Sequence, residues 1–232
     1  MKIYITKVEY SDFGEFLEKA VPLLTEERRE RIAEYKDECS KVTSAAAELL
    51  LSFAIEDQMM SGNSLFTDKD RERGATLRPV VWRKLTTGAP GLAYTFTWSD
   101  KGKPVFAEPG APYFSISHTA NLAVVVISDA PVGIDIEGNR EVNEAVVRRA
   151  FAPSDAEWIL SAQDGETREA RFLRGWTLKE SYVKMRGETV FSDEVPVLFD
   201  KGELSGELLN ECLVVEETYD RYNIAAVRQR KF

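Results

Sequence analysis

Apolar residues recur three and four positions apart through Ser40–Met60, at Ala45, Ala46, Leu49, Leu50, Phe53 and Ala54. This spacing, built from good helix formers, predicts a core helix. A second helical stretch is Thr25–Tyr35 (TEERRERIAEY), with Thr25 as its N-cap and Arg28 where a capping box prefers Glu or Gln. Met1–Tyr10 alternates apolar with polar residues and reads as a strand. Tyr94–Trp98, Pro112–Ser117, Leu122–Ser128 and Val132–Glu137 are short β-rich runs separated by Gly, Asn, Asp and Pro. Helices are predicted over Glu141–Phe151, Ser154–Ser161, with Pro153 near its start, and Glu166–Met185. Strands follow over Val195–Phe199, Cys212–Thr218 and Tyr222–Val227, the last two as a hairpin around Tyr219–Arg221. Residues 61–91 mix Gly, Ser, Asn, Asp, Arg and Pro without a sustained period and read as a long, partly irregular connection. Helices then strands, twice over, predict an α+β fold and point to a duplicated unit, although identity between the halves is low.

Composition narrows the class. At 232 residues, 44% hydrophobic and 30% charged, with no low-complexity tract, the chain suits one large domain or two small ones. Its apolar stretches, Ala45–Ile55 and Leu122–Ile127, fall short of the ~18 residues of a membrane span. The N-terminus lacks the apolar block of a secretory leader, so a cytoplasmic location is expected, with no membrane partner. Cys39 and Cys212 are far apart, with no Cys or His at metal-ligand spacing, and read as reduced thiols. A net charge of −9 disfavours nucleic acid as the main partner, so any anion site must be a local basic pocket.

Four segments carry candidate chemistry, and each has an ordinary structural explanation. The single histidine, His118, lies in FSISHTANL at a predicted strand-to-strand turn; a lone turn histidine is more often a hydrogen-bonded neighbour than a catalyst. In VGIDIE, Asp135 and Glu137 are two apart, so strand alternation sends both carboxylates to one face. Paired hard oxygens suit Mg²⁺, and a solvent-facing acidic edge weighs about equally. In WTLKESYVK, Trp176, Lys179, Glu180, Val183 and Lys184 share a helix face, where Glu180 and Lys184 also make an ordinary i to i+4 ion pair and Trp176 an ordinary core residue. KGKP puts Lys103 beside a glycine that lets a bulky ligand approach, and is equally a plain turn. Arg28, Arg29, Arg31, Lys36 and Lys41 concentrate positive charge near the N-terminus, as a solvated helix face also does.

Together GKP, FSISHT, GIDIE and WxxKESxxK form an ordered set, with 17 residues from His118 to Asp135 and 45 from Asp135 to Glu180. The set resembles the 4′-phosphopantetheinyl transferase family, in its larger surfactin-synthetase-activating type, over Gly102–Lys184, and Glu27 to about Leu51 fits less specifically. The resemblance implies an α+β fold of two tandem similar halves, 1–110 and 111–232, with the active site between them, in a monomeric pseudo-dimer. It implies transfer of the phosphopantetheine arm of coenzyme A to a serine of an apo acyl or peptidyl carrier protein, with Mg²⁺ held by Asp135, Glu137 and Glu180. Lys184, Ser117 and His118 would meet phosphate oxygens, Lys103 and Pro104 the nucleotide end, and Arg28, Arg31 and Ser44 the 3′-phosphate. Glu180, or alternatively His118, would accept the serine proton. Ser115, Thr119 and Lys101 depart from the family pattern, and Lys101 puts an adenine-stacking contact in doubt. A carrier-facing surface over Ala145, Val146, Val147, Phe151 and Trp158 is one reading of those residues; packing in the core is at least as good a one. The same acids would also serve a Mg²⁺-dependent phosphohydrolase, or a binding module without transfer activity.

Overall fold

Strand β1 (Lys2–Lys7) is buried along nearly its whole length rather than on alternate residues, both its faces being shielded from solvent. The computed structural model describes residues 1–60, 77–87, 94–99, 102–192 and 195–231. In it β1 pairs in parallel with β2 (Leu77–Pro79) and antiparallel with β6 (Leu122–Ser128), whose other edge takes β5 (Tyr113–Thr119). The order is β2-β1-β6-β5.

Helix α3 (Glu38–Met60) packs across β6, β5 and β1, and every residue from Val42 to Ser52 is buried. The core helix expected here is buried all round because α1 (Phe13–Ala20), α2 (Glu26–Glu34) and α4 (Trp82–Leu85) cover the sides of α3 that the sheet leaves open. Thr25 caps α2 as expected, its hydroxyl accepting from the Arg28 N–H at 3.3 Å. Helix α1 has Phe13, Phe16, Leu17 and Ala20 at helical spacing, a period not singled out from sequence, whereas α4 and β2 are too short for a period to announce them and occupy part of the stretch expected to be irregular. Residues 61–76 and 88–91 of that stretch, and Lys101, lie outside the described residues. Phe96 of β3 (Phe96–Trp98) and Phe106 of β4 (Pro104–Phe106) close this core against Phe114, with the Phe106 and Phe114 rings 4.5 Å apart.

The chain divides into two units, residues 1–98 with 104–129 and residues 99–103 with 130–232. Pairing accounts for the first grouping: β6 joins β1 along the whole of β1, which holds β5 and β6 in the first unit.

In the second unit β7 (Val132–Glu137) pairs with β11 (Tyr222–Gln229), and β11 with β10 (Cys212–Tyr219), all antiparallel. Helix α7 (Gly165–Arg186) lies on β7 and β11. Helices α5 (Glu144–Ala150) and α6 (Pro153–Leu160), the latter with Pro153 at its first turn, complete the packing. The strand expected at Val195–Phe199 shrinks to β8 (Phe199–Asp200), paired with β9 (Glu203–Leu204) ahead of α8 (Gly206–Glu211). The segment before β8 is held by Asp155 instead, whose buried carboxylate accepts from the N–H groups of Leu198 and Phe199 at 2.9 and 3.0 Å. Of the candidate carrier surface, Val147 and Phe151 are core residues, Val146 and Trp158 half-buried, and Ala145 exposed.

Gly133 is where α7 and β7 touch backbone to backbone. A Cβ there would run into the Ser181 carbonyl oxygen and stand 2.5 Å from the Met185 nitrogen, and neither atom can give way as a side chain would. Gly165, at the start of α7, faces open space. Gly133→Ala is therefore expected to lose about 3 kcal/mol of stability in urea unfolding. Gly165→Ala should change it by less than about 1 kcal/mol.

Candidate active site

Strand alternation puts Gly133, Asp135 and Glu137 on the face of β7 that α7 covers. Asp135 is 4% exposed, and its Oδ1 takes the Lys184 ammonium at 2.6 Å. Lys184 therefore reaches across to the strand, while its charge also acts on Glu180, one turn back on the helix. Such a bond is short and charge-assisted, as a buried carboxylate requires.

Glu137 accepts from Arg140 at 2.9 Å, and the Arg140 guanidinium lies 4.7 Å from the centre of the Trp176 ring. Burial pushes the Glu137 carboxyl up, the Asp135 charge pushes it further, and Arg140 opposes both. Glu180 on α7 is raised in the same way, by burial first and then by Asp135, with Lys184, Arg140 and Lys179 opposing. Glu137 and Glu180 thus both feel the charge of Asp135. Among the described residues, no three His, Cys, Asp or Glu side chains stand grouped as a ready metal cage. What the cluster has is three hard carboxylates, at least two of them strained by a neighbouring negative charge, and that donor chemistry fits Mg²⁺.

Lys103 comes to the same unit. Its ammonium donates to the carbonyls of Val132, at 2.9 Å, and Lys184, at 2.7 Å. Burial, with the Lys184 charge adding, lowers its pKa to about 8. Pro104 opens β4 directly after it.

The remaining candidates lie in the first unit. His118 is exposed on β5, one residue inside the strand end rather than after it, opposite Ala123; Ser117 beside it is buried opposite Val124. Arg28 donates Nε to Glu48, at 3.0 Å, and Nη1 to Ser44, also at 3.0 Å. Arg31, one turn on, instead donates to the Tyr35 hydroxyl at the surface. Arg28 and Ser44 are brought together, and Arg31 has its own partner in Tyr35.

Three residues here were not singled out from sequence. Glu48, 3% exposed, accepts from the Thr25 N–H and hydroxyl as well as from Arg28. A glutamate in the midst of AAAELLL was the available signal, because an acid inside an apolar run needs a partner. Gly133 could have been read from the glycine in a strand pattern. Arg140 carried no signal beyond standing three residues after Glu137.

A family model fits this part of the chain. Residues 131–224 match the 4′-phosphopantetheinyl transferase superfamily. The matched region holds Asp135, Glu137, Glu180 and Lys184. The chain is 35% identical over 95 residues to the 4′-phosphopantetheinyl transferase psf-1 of Bacillus pumilus, covering 41% of this chain and 40% of that protein. It is 31% identical over 144 residues to the 4′-phosphopantetheinyl transferase HetI of Nostoc sp., covering 58% and 60%. A 4′-phosphopantetheinyl transferase of Bacillus subtilis matches at 28% over 187 residues, 73% of this chain and 82% of that one. The matches thus span 40% and 60% of the length of the first two relatives. No helix among the described residues is long and apolar enough to cross a membrane.

Removing the Glu48 carboxylate would leave Arg28, the Thr25 N–H and the Thr25 hydroxyl without their shared acceptor. Glu48→Ala is expected to lose about 2 to 3 kcal/mol in urea unfolding, the half-buried Arg28 still reaching water. Arg31→Ala, at the surface, should stay within about 0.5 kcal/mol of the wild type.

Proposed function

We propose that this chain transfers the 4′-phosphopantetheine group of coenzyme A to a serine of an apo acyl or peptidyl carrier protein, releasing adenosine 3′,5′-bisphosphate. It works as a cytoplasmic monomer, built as a pseudo-dimer, with bound Mg²⁺. The observation that carries this reading is the Lys184–Asp135 pair beside Glu137 and Glu180, in the stretch matched by the superfamily model.

Asp135, Glu137 and Glu180 would hold the Mg²⁺. When bound, the ion supplies Lewis acidity and offsets the charge of the pyrophosphate. Lys184, already poised over Asp135, meets an oxygen of the phosphate under attack and stabilises the charge that builds there. The carrier serine oxygen forms its bond to the β-phosphorus as the bond to the leaving adenosine bisphosphate oxygen breaks. The serine proton passes to Glu180, with His118 as the other candidate base. Ser117 and His118 bind phosphate oxygens, and Pro104 borders the nucleotide. Arg28, held by Glu48 and Ser44 in a fixed orientation, contacts the 3′-phosphate together with Arg31 and the Ser44 hydroxyl.

Incubation with coenzyme A, Mg²⁺ and a panel of apo carrier proteins, read by intact mass, tests the reading. A carrier gain of one phosphopantetheine arm is expected, abolished by EDTA and restored by Mg²⁺. Phosphate release from coenzyme A without any carrier would instead make the chain a phosphohydrolase, and binding with no gain on any carrier would make it a recognition module. Asp135→Ala and Glu180→Gln should each lower the transfer rate by ~10² to 10⁴ while remaining folded.

A further inference from the structure

The Lys103 ammonium touches the two elements that carry the acidic cluster, and does so through their backbones. Its partners are the carbonyl of Val132, the first residue of β7, and the carbonyl of Lys184, in the last turn of α7. The end of a helix leaves its last carbonyls without intrahelical donors. The two N–H groups that follow α7, those of Gly187 and Glu188, both go to Val183. The Lys184 carbonyl is met from outside, by Lys103. A cation at that end also suits the helix dipole.

The stem of Lys103 is itself held. Its N–H donates to the Ser99 hydroxyl at 3.0 Å, and its carbonyl accepts from the Ser99 N–H at 2.9 Å. Gly102, in the left-handed region at φ 77°, donates to the Ser99 carbonyl and turns the chain so that both bonds close. Residues 99–103 group with the second unit, and the strands on either side with the first.

We propose that Lys103 is a positioning residue for the acidic site, clamping the start of β7 to the last turn of α7 so that Lys184 and Asp135 are held in register, rather than a ligand of the nucleotide. The proposal rests on the transferase reading for its catalytic consequence, though not for the clamp. Two of the three N–H bonds of the ammonium are committed to the carbonyls. A neutral amine still has two N–H bonds to give, so a pKa near 8 does not release the clamp in alkaline solution.

Lys103→Met keeps the aliphatic stem and removes the donors. In ligand-free protein, amide hydrogen exchange in the last turn of α7 and at the start of β7 should accelerate at least tenfold. The kcat of transfer should fall at least tenfold with KM for coenzyme A within threefold of the wild type, and Lys103→Arg should recover most of the exchange protection. Unchanged exchange overturns the proposal. So does a tenfold rise in KM for coenzyme A with exchange unaltered, which would make Lys103 a phosphate ligand. If Lys103→Met does not fold, the wild type decides through side-chain ¹H–¹⁵N NMR. Clamped Lys103 ammonium protons exchange with water slowly and are unmoved by added coenzyme A; exchange as fast as that of exposed lysines overturns the clamp. A wild type that transfers nothing to any carrier sinks the transferase reading, while the ligand-free exchange and NMR results still decide the clamp.

Discussion

The backbone of α7 lies so close to β7 at Gly133 that no side chain fits between them, and the chemistry of the second unit is arranged around that contact. With the helix axis this near the strand, Asp135, two residues on and on the same face, sits beneath α7 rather than beside it. The Ser181 hydroxyl, donating to the Ala225 carbonyl at 2.7 Å, ties the same turn of helix to the neighbouring strand. A carboxylate buried to 4% exposure is tolerable only with a close cation, and the helix delivers one from Lys184. A larger residue at 133 would push the helix away and separate the pair, so the first residue of the GIDIE motif acts through packing while its third and fifth act through charge.

Each unit buries an acid within its packing, and the two acids are met by different cations. Glu48, in the first unit, accepts hydrogen bonds from the Thr25 N–H, the Thr25 hydroxyl and Arg28, and it fastens α2 to α3. Its donors account for it as a structural acid. Asp135 instead pairs with the Lys184 ammonium, and its charge, after burial, raises the carboxyls of Glu137 and Glu180, with Lys184 and Arg140 opposing. In the proposed reaction these carboxylates are the ones that would hold Mg²⁺.

Much of the fold was legible because it obeys strong local rules. Val132–Glu137 and Leu122–Ser128 fall where the β-rich runs put them, and α7 differs by one residue at each end from its predicted span. What was hidden depends on partners distant in sequence. Strand β2 is three residues long and exists because it lies beside β1, more than seventy residues away. The grouping of β5 and β6 with the first unit is likewise a matter of pairing with a strand more than a hundred residues away. Lys103 reads as a turn residue from its neighbours, and its two carbonyl partners are 29 and 81 residues off. At the site, alternation foretold the shared face of Asp135 and Glu137, and helical spacing put Lys184 one turn from Glu180, whose carboxyl feels its charge. The contact of Lys184 with the buried Asp135, 49 residues away, depends on tertiary packing that no local spacing announces.

The structural and functional explanations of a motif residue need not compete. Trp176 is buried against Phe151 and Phe172, as a core residue should be. Its ring also faces Arg140, whose guanidinium in turn holds Glu137. A tryptophan at this position therefore supplies apolar volume on one side and a flat, electron-rich seat for a cation on the other. A leucine would fill much of the volume and provide no seat, leaving Arg140 and so Glu137 less ordered. WxxKE is then coherent as a unit: the aromatic residue orients an arginine that orients one carboxylate, and the next turn of the same helix brings Glu180 to within reach of the charge on Asp135.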